Sequence, residues 1–395
     1  MRVLLCLLSE QHVPNLISVK HFRPDRVILI CSNHMRKAAE YFLDALAIAE
    51  FPRDRVVVLP LADENNLASV RRCLHQAFGT FPNAEEWIAN VTGGLKPMSI
   101  AAYEFFKALD ARVVYIDSRK PNEILGLDGR PTETCTHRLL LDEFMAGYGF
   151  QILKSWAKIA EGEDRARNWW PLAREIAEHT PDQNLLCCDD NEAGRKEWAT
   201  ARSRGLILEE RHTQHLPDTV KTALVESWKL TRTEKAIVGS IDKYQGSFLT
   251  GGWLEAFFWK LLIDHAAALG LEHVHLGVEA RKKETQADTD FDVAFMLNQS
   301  LGAIECKSGS QSYSDDANQP LDKLEARIQQ FRALRVNPVL ATTSSKIFDK
   351  DGKIKQSFSQ RADIYNCRII NVNQIRRLAV EPQSSILVGQ LLLAR

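Results

Sequence analysis

The chain lacks a membrane-length apolar run at its start: the stretch Val3 to Leu8 ends at Ser9-Glu10, too short to span a bilayer or to need a signal-peptide reading. A buried first strand accounts for it. Paired CxxC spacing is also missing, since the eight cysteines, Cys6, Cys31, Cys73, Cys135, Cys187, Cys188, Cys306 and Cys367, are scattered. That argues against zinc and against a disulfide framework, and fits reduced thiols in cytoplasmic cores. Net charge is missing too, with 50 Lys and Arg against 51 Asp and Glu, so no global basic field exists to hold nucleic acid. Any nucleic-acid site must be local. Neither a GxGxxG fingerprint nor a Walker A loop occurs, which leaves nicotinamide binding without support.

What is present suffices for two or three domains, because 395 residues with 45% hydrophobic content can fill several cores. The densest chemical signal is Phe291-Asp292-Val293 followed by Glu305-Cys306-Lys307. Asp290 to Leu297 reads as a strand, Asn298-Gln299 as its turn and Leu301 to Cys306 as the returning strand. The hairpin makes Asp292 and Glu305 neighbours. Alternation puts Glu305 and Lys307 on one face and Cys306 on the other. Charges on a solvated sheet face are the ordinary alternative, yet nearly continuous apolar residues flank both carboxylates, which argues for a held, half-buried position. Hard oxygen ligands of this kind suit Mg²⁺ or Mn²⁺, which polarises a phosphate and lowers the pKa of a water.

Upstream, Trp253, Leu254, Phe257, Phe258, Leu261 and Leu262 have helical spacing, predicting a helix from Gly251-Gly252 to about Ala268. Glu255 lies in its first turn, as a dipole-favoured acid or as a third inward carboxylate. This helix, the hairpin and the ExK resemble the PD-(D/E)xK restriction-endonuclease-like fold over residues 236–395. The resemblance implies catalytic roles for Glu255, Asp292, Glu305 and Lys307, with Asp292, Glu305 and Glu255 on the metal; Phe291 stands where that family usually has proline. On the following helix, read as Leu321 to Leu334, Lys323, Arg327 and Gln330 have helical spacing; a solvated helix face is the first reading, with Lys323 or Gln330 reaching the site as the alternative. Pro338 to Thr342 and Cys367 to Val372 read as further strands. Arg281-Lys282-Lys283 and the basic stretch from Lys346 to Arg377 are the local candidates for nucleic-acid contact.

From residue 1 to 150, buried strands alternate with amphipathic helices, predicting a Rossmann-like doubly wound parallel sheet. Two strand ends stand out: Ser9-Glu10-Gln11-His12, and Thr92-Gly93-Gly94-Leu95-Lys96-Pro97-Met98. In the second, glycines permit close backbone approach, Pro97 suits a first helical turn, and the helix N-terminus attracts phosphate.

This loop, on such a domain and joined to an ExK nuclease, resembles the CRISPR-associated Rossmann fold (CARF) nucleases of type III CRISPR systems over the full chain. The resemblance implies a homodimer binding a cyclic oligoadenylate, cyclic tetra-adenylate by expectation, through Ser9, Glu10, Gln11, Asn33, Thr92, Gly93, Gly94, Lys96 and Met98. Asn33 and His34 are the weaker members, and Leu95 replaces a frequent threonine. It also implies a metal-dependent endonuclease acting on DNA, RNA or both in antiviral defence, cytoplasmic and without a membrane partner. Residues 151–235 read as a linker or winged-helix module, with Leu206 to Glu209 as a wing and His212 and His215 as polar-loop residues rather than a metal pair. A CARF transcription regulator and a constitutive repair nuclease are the rival readings.

Overall fold

In the computed structural model, residues 1–117, 119–188, 192–309, 318–331 and 337–393 are described. The N-terminal sheet has strands β1 (Arg2–Leu7), β2 (Arg26–Ser32), β3 (Val56–Leu61), β4 (Glu86–Asn90), β5 (Arg112–Ile116), β6 (Glu123–Gly126) and β7 (Glu133–Thr134) in the order β3-β2-β1-β4-β5-β6-β7. β1 to β5 pair in parallel and the last two strands add antiparallel. Helices α1 (Val13–Phe22) and α2 (Arg36–Ile48) cover one face, α3 (Leu67–Thr80) and α4 (Lys96–Ala108) the other. Both faces are therefore buried, which explains why strands such as Leu4-Leu5-Cys6 and Val27-Ile28-Leu29 are apolar without alternation.

Helix α1 escapes a periodicity search for the same reason. Val13 to Val19 are all buried, so no polar stripe marks it, and Pro14 lies in its first turn, where proline is tolerated.

The chain leaves this domain through α5 (Leu141–Gly147) and β8 (Phe150–Ile152), and β8 joins the edge of the C-terminal sheet. Next come α6 (Trp156–Asn168), α7 (Trp170–His179), α8 (Glu192–Arg204), β9 (Leu206–Leu208), α9 (Glu210–Thr213), α10 (Asp218–Trp228), β10 (Thr231–Arg232) and β11 (Ile237–Ile241). The three strands form a small antiparallel sheet in the order β10-β11-β9. Residues 237–241, which the sequence reading gives to the nuclease domain, thus belong to the middle sheet because β11 pairs with β9. His212 is buried, accepts from the Glu209 backbone N–H at 2.9 Å and meets Glu197 at 3.0 Å; His215 turns instead to the Asn184 carbonyl. Trp169 and Trp170 pack inward, on Trp228 and Phe248 and on Phe257.

The C-terminal part holds α11 (Lys243–Ser247), α12 (Trp253–Leu269), β12 (Leu271–Lys282), β13 (Asp288–Leu297), β14 (Ser300–Lys307), α13 (Gln319–Ile328), β15 (Asn337–Thr342), α14 (Gln356–Ile364), β16 (Arg368–Ile370), α15 (Val372–Val380) and α16 (Ser385–Leu392). Its sheet runs β16-β15-β14-β13-β12-β8, antiparallel from β8 to β14 and parallel from β14 to β16. β12 has no strand signal in the sequence, because left-handed His273 and Gly277 and a bulge interrupt its period-2 pattern. α13 stops at Ile328 and a single 3₁₀ turn, Gln329–Phe331, follows; the expected helix end, residues 332–334, lies outside the described residues.

One face of this sheet packs on α12, and the other continues into the N-terminal core. Ala294, Met296, Leu301 and Ala303 share a single apolar cluster with Leu4, Leu29, Phe42 and Phe144. Phe331 touches Phe144, Tyr148, Phe150 and Phe291, joining residues of both domains. The two domains are parts of one interior. No helix among the described residues is long and apolar enough to cross a membrane.

Candidate active site

The hairpin forms because Asn298 and Gln299 both take left-handed backbone, φ 50° and 61°, the requirement of a two-residue primed turn. Its register, Val293 opposite Ile304, sets Asp292 opposite Glu305. Asp292 is fixed further by accepting the Cys306 backbone N–H at 2.7 Å. Lys307 Nζ lies 2.7 Å from Glu305 and 3.7 Å from Asp292, so two carboxylates converge on one amine. Cys306 points the other way, into the core beneath α12.

A second cation closes the group from α13. Arg327 donates to Glu305 at 2.6 Å and pairs with Asp290 at 2.8 Å, so both oxygens of Glu305 carry a cationic partner. The sequence reading favours a solvated face for this helix, with Lys323 or Gln330 as the alternative contacts; Lys323 is exposed, and Arg327 occupies the inward position. Helical spacing offers three candidates and does not say which faces the sheet.

Glu255 approaches from α12 and is half-buried. Among the described residues no three His, Cys, Asp or Glu side chains are grouped to hold a metal, with or without Glu255. The electrostatics still couple it to the hairpin. Burial raises the Glu255 carboxyl above its ordinary value, with Lys307 opposing and Glu305 adding to the rise. Burial, then Glu255 and Glu305, push Asp292 well above the carboxylate range. Lys307 is held protonated: burial works against its charge, but Asp292 and Glu305 outweigh it.

Crowded buried carboxylates with raised pKa values fit a site whose charge a divalent cation would relieve. Asp292 and Glu305 are the residues placed to hold one, with water and a substrate phosphate as the remaining ligands. Glu255 also borders a cleft of about 430 Å³ lined by Lys154, Lys158, Arg165, Trp169 and Tyr244. Arg165 lies 4.0 Å over the Tyr244 ring, and Tyr244 is exposed. Cations and an exposed aromatic ring thus share one local cleft, with Glu161 among its lining residues. The two basic stretches singled out in the sequence carry ion pairs, Arg281 with Asp288, Lys283 with Asp44, Arg361 with Asp322 and Arg376 with Asp182, as cleft-lining Lys154 does with Glu279.

The N-terminal loop sits where strand order reverses, between the carboxyl ends of β1 and β4, the usual ligand position of such sheets. A Cβ on Gly93 would lie 2.1 Å from the Leu7 carbonyl oxygen, and Gly94 has φ 75°, so both glycines are required by backbone geometry. Beneath them is a polar network that the sequence does not announce. Buried Asn90 donates to Pro14 O, Asn15 Oδ1 and Ser18 Oγ, while its own Oδ1 accepts the N–H and hydroxyl of Thr92. The Thr92 hydroxyl in turn accepts from the Ile116 N–H at 2.8 Å. Thr92 is therefore turned inward, and Met98 is buried under Gly94; they shape the loop and do not line its outer surface. Ser9 is half-buried, while Glu10, Gln11, Asn33, His34 and Lys96 are exposed at the strand ends, beside the uncapped N-terminus of α4.

Residues 3–144 match the family described as the Card1 CARF domain, and residues 242–364 match the Card1-like endonuclease domain. No curated protein matches the chain. Among solved structures, Can2 from Sulfobacillus thermosulfidooxidans, in complex with cyclic tetra-adenylate, is similar with a TM-score of 0.70 at 20% identity over 100% of both chains. Protein VC1899 from Vibrio cholerae is similar with a TM-score of 0.78 at 15% identity, covering 98% of this chain and 99% of that one. A type III CRISPR defence DNA nuclease activated by cyclic oligoadenylate gives a TM-score of 0.52 at 16% identity, over 91% of this chain and 51% of that one. These three likenesses are of fold. With the sensor and endonuclease domains matched in this order over the parts that carry the loop and the hairpin, the chain belongs to the CARF-domain nucleases.

Proposed function

We propose that this protein is a cyclic-oligoadenylate-activated, divalent-metal-dependent endonuclease that cuts or nicks DNA, RNA or both, in the antiviral response of a type III CRISPR system. The observation that carries the reading is the convergence of Asp292 and Glu305 on Lys307 in a sheet that shares its core with the loop-bearing domain. Mn²⁺ or Mg²⁺ held there would act as a Lewis acid on the scissile phosphate and lower the pKa of the attacking water. Asp292 and Glu305 supply the anionic oxygens, with Glu255 adding negative potential from α12. Lys307, kept protonated, serves as a fixed positive charge for the phosphate oxygens rather than as a base. Arg327 holds Glu305 in place. The substrate strand lies along the cleft of Lys154, Lys158, Arg165 and Tyr244.

Cyclic tetra-adenylate is the effector best suited to a pair of these loops. A ring with two-fold symmetry presents equivalent phosphates to the same donors on two copies of the chain, so the working unit is a homodimer. Ser9, Glu10, Gln11, Asn33 and Lys96 face it, with the backbone of Gly93 and Gly94 close to its phosphates. Calorimetric titration of the purified chain tests this half of the reading. One ring per two chains is expected; one per chain, or no binding, contradicts it.

A further inference from the structure

Gln299 stands at a position that its own turn does not favour. The second residue of a primed two-residue turn is best served by glycine, yet here a glutamine is held at φ 61°. Its side chain is 2% exposed, deeper than any turn residue needs to be. The reason for both lies across the domain boundary. Gln299 Oε1 accepts the Leu139 N–H at 2.9 Å, and its Nε2 donates to the His137 carbonyl at 2.7 Å and to Asn122 Oδ1 at 3.2 Å. Asn122 Oδ1 accepts also from Arg138, whose Nε reaches Glu272 of β12 at 2.9 Å. A local rule is broken so that the tip of the catalytic hairpin can be clipped to the N-terminal domain.

The segment it grips leads to the ligand loop. Asn122 stands immediately before β6, β6 pairs Ile124 with Ile116 of β5, and the Ile116 N–H is bonded to Thr92 in the loop. We propose that Gln299 is a positioning residue that transmits effector binding to the Asp292 and Glu305 hairpin, through Asn122, β6 and Thr92. The inference rests on the effector reading above. A displacement of Thr92 moves β5 and β6, and the clip carries that motion to a hairpin whose far half is already packed in the shared core.

The test uses full-length protein with Gln299→Gly and, separately, Gln299→Glu. Glycine suits the turn backbone and removes only the clip; glutamate keeps the acceptor for Leu139 but sets a carboxylate oxygen against His137 O and Asn122 Oδ1. Cleavage rates with and without cyclic tetra-adenylate, effector affinity, and hydrogen exchange of residues 288–307 are read together. The expected result is a ratio of stimulated to basal rate reduced by about tenfold or more in both variants, with effector affinity within roughly threefold of wild type. Effector-induced exchange changes in the hairpin disappear as well. A merely structural role would lower both rates together and leave the ratio alone, and that result overturns the inference, as does wild-type stimulation in Gln299→Gly. Wild-type protein that ignores the effector defeats the effector reading itself and this inference with it, and is seen without any variant.

Discussion

Asp292→Asn is expected to lower the cleavage rate by about 10³-fold while the chain stays folded. The amide keeps the shape of the side chain and an oxygen for the Cys306 N–H, so the hairpin retains its register. What it loses is the negative charge. Stability should move the other way. Burial, then Glu255 and Glu305, raise the Asp292 carboxyl well above its usual range, so folding favours its neutral form. That contribution is present at low pH and is lost as pH rises through the raised value. The amide has no such loss, and in metal-free buffer at pH 8 the variant should melt no lower than wild type. A variant that keeps more than about a tenth of the wild-type rate would remove Asp292 from the site.

Gly93→Ala is the second large expectation, and it acts at the other end of the molecule. The new Cβ would meet the Leu7 carbonyl oxygen at 2.1 Å, with Leu7 C at 3.1 Å, and neither backbone atom can swing aside. The loop must therefore leave the end of β1, carrying Gly94 and the start of α4 with it. Overpacking of this kind costs about 1–3 kcal/mol in stability. The same displacement should weaken effector binding by about 10²-fold, because the backbone that approaches the ring has moved. Gly79→Ala is the matched control: its Cβ meets nothing within 4 Å and it lies in α3, where alanine is the better helix former. Titration and melting of the two variants side by side check the claim, and unchanged affinity in Gly93→Ala would mean that the effector does not use this loop.

The hairpin was legible in the sequence because its carboxylates interrupt otherwise apolar strands, a pattern that a held position explains better than a solvated face. The doubly wound sheet was legible for a related reason: strands buried on both faces are apolar throughout, so length and spacing alone mark them. Where polar residues serve buried structure the signal fails. Asn15, Ser18 and Asn90 sit within buried segments and look like interruptions, yet they satisfy one another under the ligand loop. Thr92 and Met98 read as ligand contacts because they belong to a glycine loop, and the inward turn of both depends on strands 4 and 5 being adjacent. Arg327 and Gln299 are tertiary facts: the first depends on which face of α13 meets the sheet, the second on a contact between residues far apart in the chain.

The central claim is that the loop-bearing domain controls the hairpin, and it is tested most directly by the rate of cleavage of single-stranded and plasmid DNA and of RNA in Mn²⁺, with and without cyclic tetra-adenylate. A rate raised by about 10²-fold or more on adding the effector, and abolished in Glu305→Ala, is the predicted result. Equal rates with and without it, or undiminished cleavage by Glu305→Ala, would contradict the account.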